Sequence, residues 1–152
     1  MSKIVIGIDP GAAGAIVLLG EECVAAKMPD TMGDIFDYLA DIKANHDDTV
    51  CYLEDVGQGV PGQSSSATAK FARHNGHLEM ALYALGIRTI KVRPQKWMKF
   101  YSNTVGTSKD LPKAVWKNKL KACCQQLFPS VKVTLNNADT LLIANYGREQ
   151  EK

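Results

Sequence analysis

Residues 3–19 read K-I-V-I-G-I-D-P-G-A-A-G-A-I-V-L-L, and the fold class follows from how this stretch divides. Lys3–Asp9 is a β-branched run that suits a strand buried on both sides. Pro10-Gly11 breaks it, Ala13–Leu19 resumes as a second strand, and Gly20-Glu21-Glu22 is the next turn. Cys23–Lys27 is a third strand, so three short strands joined by tight turns make an antiparallel meander. Asp9 ends the first strand directly before Pro-Gly. A carboxylate at the exit of a buried strand is not core filling; it caps the turn or reaches into a site.

Downstream the period changes. Met32, Ile35, Phe36, Leu39 and Ile42 follow helical spacing, with Asp30 or Thr31 as N-cap and an end near Asn45. Thr49–Val56 is a fourth strand, and the helix crossing over to it favours parallel pairing. Residues 57–66 form a Gly/Ser/Gln loop. A long helix from about Ser65 to Leu85 is expected to bury Ala69, Ala72, Leu78, Ala81, Leu82 and Leu85, with Gly86 as its stop and Ile87–Val92 as a fifth strand. After Pro94 come a short amphipathic turn at 95–101, a polar loop at 102–111 and a helix from Pro112 to about Leu127. A last helix runs from Asn137 to about Tyr146 with Leu141, Leu142 and Ala144 inward. The expected class is α/β, a five-stranded mixed sheet flanked by helices.

The chain has 152 residues, the size of one domain. Its 45% hydrophobic and 22% charged residues exclude disorder and fibrous repeats. No apolar stretch approaches the roughly 20 residues of a membrane span, and the Met-Ser-Lys start leads into no signal-peptide h-region, so a soluble, cytoplasmic protein is expected. Cys23, Cys51, Cys123 and Cys124 lack the paired spacing of a zinc site and read as structural thiols. Net charge is +2, but unevenly placed: residues 1–87 carry five basic residues against twelve acidic, and residues 88–152 carry thirteen against four. A basic half on a nearly neutral chain suits a polyanion-facing surface as well as it suits a solvated lysine-rich face.

Glu54 lies within the fourth strand, and alternation turns its neighbours Leu53 and Asp55 to the opposite face. Asp139 opens the last helix, where a carboxylate also complements the helix dipole. Each acid alone has a plain structural explanation. Three carboxylates from two strand ends and one helix can instead converge, and several hard oxygens are what Mg²⁺ or Mn²⁺ requires.

I-G-I-D-P-G-A-A-G at 6–14 resembles the first motif of RuvC-type Holliday-junction resolvases of the RNase H-like superfamily. L-E-D-V-G-Q-G-V-P-G-Q-S-S-S-A-T-A-K-F at 53–71 is similar to the second-acid strand and following loop of their bacteriophage branch. P-Q-K-W-M-K at 94–99, the lysine-bearing helix ending L-F-P at 127–129, and A-D-T-L-L-I-A-N-Y-G-R at 138–148 continue the series in order across nearly the whole chain. The first motif alone is shared with actin-like ATPases.

The resemblance implies one RNase H-like nuclease domain over 1–152 that hydrolyses DNA phosphodiesters with two Mg²⁺ ions, Mn²⁺ being an alternative. It implies Asp9, Glu54 and Asp139 as metal ligands. The fourth acid of the family stands three or four residues before the last, where this chain has Asn136 and Leu135. An amide brings an oxygen but no charge, so Asn136 would hold a second metal weakly. Lys117 or Lys121, one turn apart, is placed to stabilise the phosphate, with Lys117 in better register. Gln58, Gln63 and Ser64 lie where relatives probe the junction. Lys70, Arg73, Lys96, Lys99, Lys113 and Lys121 are expected DNA contacts, and His74 and His77 have no spaced partner for metal. Twofold junction symmetry implies a homodimer. Two alternatives stand beside this activity. One is a junction-binding protein that does not cut, suggested by Asn136; the other is a small actin-like ATPase, suggested by the first motif only.

Overall fold

The computed structural model describes residues 3–57 and 62–152. Among these the order is β1 (Ile4–Asp9), β2 (Ala15–Leu19), β3 (Cys23–Lys27), α1 (Met32–Asn45), β4 (Thr49–Glu54), α2 (Ser65–Ala84), β5 (Arg88–Val92), α3 (Pro94–Phe100), α4 (Ser102–Val105), α5 (Lys113–Leu127) and α6 (Ala138–Gln150). The five strands form one sheet in the order β3-β2-β1-β4-β5. β1–β2 and β2–β3 pair antiparallel through tight turns, while β1–β4 and β4–β5 pair parallel across helical crossovers. The sheet is the expected mixed one, with helices on both faces.

Strand alternation divides the core in two. Ile6, Ile8, Cys51 and Leu53 join Ile35, Leu39, Leu78 and Leu82 of α1 and α2 on one face. Val5, Val50 and Tyr52 join Trp97, Trp116, Leu120, Leu141 and Leu142 on the other. Full burial of each such large side chain contributes roughly 1.5–3 kcal/mol. α6 is buried from Thr140 to Gly147 because it lies between the sheet and the other helices of its face. Gly7 makes that approach possible: a Cβ there would stand 2.8 Å from the Ala144 Cβ and 2.9 Å from the Thr140 carbonyl oxygen. Gly14 closes the β1–β2 turn where a Cβ would fall 1.9 Å from the Asp9 carbonyl oxygen.

Several expectations are corrected. Ala69 and Ala72 are exposed. α2 has 20 residues, roughly 30 Å of helix, whereas strands of five or six residues span only about 17–20 Å; only the C-terminal half of α2 can cover the sheet. The polar loop at 102–111 contains α4, held because Val105 and Tyr101 are buried. α6 continues beyond Tyr146 to Gln150, and the next residue, Glu151, accepts from the Tyr52 hydroxyl at 2.6 Å and pairs with Lys3 and Arg88. Thr31, not Asp30, caps α1, its hydroxyl oxygen accepting from the Asp34 N–H at 3.0 Å. No helix among the described residues is long and apolar enough to cross a membrane.

Candidate active site

β1 and β4 lie side by side in parallel, with Ile8 opposite Leu53. One step further, Asp9 and Glu54 end the two strands together. Both have the parity of Val5, Gly7, Val50 and Tyr52, so both carboxylates emerge on the α6 face. The two carboxyls stand close enough that each shifts the proton affinity of the other. α6 brings Asp139 to the same strand ends from its first turn, close enough to repel both. From α5, Lys117 reaches across so that its Nζ stands 3.2 Å from Asp139 Oδ2.

Burial, then the charges of Glu54 and Asp139, pushes the Asp9 carboxyl up to about 8, with Lys117 opposing. Burial also raises Glu54, against which the indole N–H of Trp97 acts most strongly, stabilising the charged form. Near neutral pH, therefore, Asp9 keeps a proton. The Trp97 Nε1–H donates to Glu54 Oε2 at 2.7 Å, and both residues are buried.

The donor set suits a hard divalent cation in kind, since Asp9, Glu54 and Asp139 offer carboxylate oxygens and a cation would displace the proton held by Asp9. Among the described residues, no three His, Cys, Asp or Glu are already gathered tightly enough to enclose an ion; Asp139 is turned to Lys117 instead.

The other residues read from the sequence lie apart from the acids. Asn136 is exposed and lines a cavity of about 240 Å³ with Ala13, Gly14, Ala15, Lys27 and Asn137, adjoining the Asp9 strand end but without a hydrogen bond to any of the acids. Ser64 and Gln63 serve α2 itself: the Ser64 hydroxyl oxygen accepts from the Ala67 N–H at 3.1 Å, and Gln63 Oε1 accepts from the Thr68 hydroxyl at 3.3 Å. Lys70 and Arg73 line a second cavity with Asp30, His74 and His77. Lys96, Lys99 and Lys113 are exposed and Lys121 is half-buried. Gln58 lies outside the described residues.

Sequence reasoning passed over Trp97, reading only the lysines of P-Q-K-W-M-K. The available signal was chemical: a buried indole N–H needs an acceptor. Nothing in the local spacing says which acceptor it finds.

No family model matches the chain, and no curated protein matches it either. Solved structures do. Over 98% of this chain and 97% of the other, it superposes on Thermus thermophilus RuvC in complex with Holliday junction substrate, with a TM-score of 0.64 and 15% identity. A second Thermus thermophilus RuvC structure gives a TM-score of 0.60 at 16% identity, covering 97% of this chain and 96% of that one. The chain has the RuvC fold. At such identity the likeness concerns backbone path, and what the RuvC-fold scaffold does here rests on the side chains at the ends of β1 and β4.

Proposed function

We propose that this chain is a divalent-metal-dependent, structure-selective endonuclease that nicks four-way and other branched DNA in recombination or phage DNA processing, acting as a homodimer in the cytoplasm. The observation that carries this reading is the pairing of Asp9 with Glu54 at adjacent parallel strand ends, facing Asp139 and a lysine. It is supported by the fold shared with a RuvC whose structure holds a Holliday junction.

Asp9, Glu54 and Asp139 would hold Mg²⁺ or Mn²⁺. Bound there, divalent cations supply activation of water and stabilisation of the leaving oxygen. The remaining roles belong to the chain. Asp9 gives up its proton to solvent as cations bind, which makes the site anionic enough to hold them. Glu54, buried on its strand, keeps a fixed orientation. Lys117 balances the acids and lies within reach of a phosphate drawn to them. Lys96, Lys99, Lys113 and Lys121 offer positive charge to the arms of the substrate, as do Lys70 and Arg73 on the other face of the sheet.

The homodimer has a candidate surface. Met32 and Phe36 of α1 and Met80 and Tyr83 of α2 are exposed, Tyr83 by 81%. Met32, Phe36 and Met80 border one shallow apolar depression, the kind of patch that marks interfaces. Two copies joined there would present two acid sites to a twofold-symmetric junction.

Incubating the protein with a labelled synthetic four-way junction in Mg²⁺ or Mn²⁺, with linear duplex as control, tests the reading. Paired nicks with 5′-phosphate and 3′-hydroxyl ends are expected on the junction. Junction binding without nicks in either metal would favour the second reading, a branched-DNA-binding protein that does not cut. The amide at position 136, where an acid would complete the site, is what favours that alternative.

A further inference from the structure

We propose that Trp97 is a positioning residue of the acid site. It fixes one carboxylate oxygen of Glu54 so that Glu54 offers a cation a single oxygen in a single orientation. This rests on the nuclease reading only for its consequence in catalysis; the metal-binding consequence stands separately.

Pro94 at the start of α3 turns the chain immediately after β5, the neighbour of β4, and three residues later delivers Trp97 beneath Glu54. Trp97 is fully buried. Its N–H donates to the Glu54 oxygen at 2.7 Å, and both side chains are buried, so water does not compete for that oxygen's partner. The indole is itself held. Tyr101 packs against it edge-on with centroids 6.4 Å apart, and the Tyr101 hydroxyl donates to the Leu142 carbonyl at 2.7 Å. The same hydroxyl accepts from Asn145 Nδ2 at 3.0 Å. Leu142 and Asn145 belong to α6, the helix that carries Asp139. A continuous buried chain thus runs from the Glu54 carboxylate through two aromatic rings to the helix bearing another acid of the site. A carboxylate with one oxygen held by a buried donor is restrained from rotating or turning away, and partners of this kind typically change metal affinity by roughly 10–100-fold.

The test compares wild type with Trp97→Phe, which keeps the ring and removes the N–H. Folding is checked by circular dichroism and measurements are made well below both melting temperatures. Calorimetric titration with Mn²⁺ alone is expected to show affinity about tenfold weaker in Trp97→Phe, and junction nicking is expected to lose kcat with KM unchanged. In wild-type protein the Trp97 indole N–H resonance, separated from that of Trp116 by Trp116→Phe, should shift when Mg²⁺ is added and move upfield in Glu54→Gln. If Trp97→Phe does not fold, these resonances decide alone. Wild-type Mn²⁺ affinity in Trp97→Phe, or an indole resonance indifferent to Mg²⁺, overturns the proposal even if the protein cuts junctions. Weakened Mn²⁺ binding with a Mg²⁺-sensitive indole in a protein that cuts nothing would uphold Trp97 and reject the nuclease reading.

Discussion

Lys117 Nζ stands 3.2 Å from Asp139 Oδ2, so the ammonium of α5 occupies the side of the acid cluster that α6 supplies. It also lowers the proton affinity of both Asp9 and Glu54. An ammonium and a divalent ion compete for the same carboxylates. Lys117→Met should therefore tighten Mn²⁺ binding severalfold in a calorimetric titration while slowing junction nicking by about 10–10²-fold, a loss of ~1.4–2.7 kcal/mol in the transition state. Lys121→Met, one turn away, should leave Mn²⁺ affinity unchanged.

Asp9 links stability to pH. Its folded carboxyl lies at about 8 against an ordinary 3.8, so between these values the folded, metal-free chain holds a proton that the unfolded chain has lost. Stability must then fall as pH rises from about 4 to about 8. Asp9→Asn removes that loss. In chelator it should melt roughly 4–8 °C above wild type at pH 8, taking about 2 kcal/mol, with the gap closing near pH 4. The variant should bind junctions and cut none. A pH-independent difference in melting temperature would show that Asp9 does not hold an extra proton in the folded chain.

Binding to DNA should depend steeply on salt, because the thirteen basic residues of 88–152 outnumber the four acidic ones. Each phosphate contact contributes a slope of roughly −0.9 in log K against log salt. Lys113→Ala should reduce the slope by about one. A flat salt response of wild type in an anisotropy titration would turn the basic half away from DNA.

Asn136 adjoins the Asp9 strand end without touching the acids. Asn136→Asp should raise Mg²⁺-dependent nicking by on the order of 10²-fold, because a carboxylate holds a hard cation where an amide does not. Junction affinity without metal should hold or fall slightly. Unchanged nicking across a Mg²⁺ titration would take position 136 out of the metal set.

Glu151 is a latch at the opposite end of the sheet. The Tyr52 hydroxyl, then Lys3 and Arg88, hold its carboxyl at about 2, below its ordinary 4.5. Its contribution is thus complete above about 4.5 and disappears as pH falls through about 2. Glu151→Gln should cost ~1–2 kcal/mol at pH 7, since one buried-side bond and two exposed ion pairs are weakened. Denaturant melts at pH 2 should show no difference.

The sequence by itself determined what depends on neighbours along the chain. Two-residue alternation in I-V-I-G-I-D and T-V-C-Y-L-E separated Glu54 from Leu53, and the change to helical spacing after Thr31 implied the crossover that makes β4 parallel to β1. Asp9, Glu54 and Asp139 stood out because carboxylates at the ends of apolar elements have no core role. What the tertiary structure alone decided involves partners far apart in the chain. Lys117 and Lys121 share one helix face by periodicity, and only the packing of α5 on α6 puts Lys117 against Asp139, 22 residues away. Trp97 meets Glu54 across 43 residues, and Tyr52 meets Glu151 across 99. Ala69 and Ala72 have core-like spacing yet meet water, because helical period marks a face and not the length of sheet beneath it. Local propensity acts over one or two turns; which buried donor finds which acceptor is settled only when the layers close and most polar groups inside them find partners.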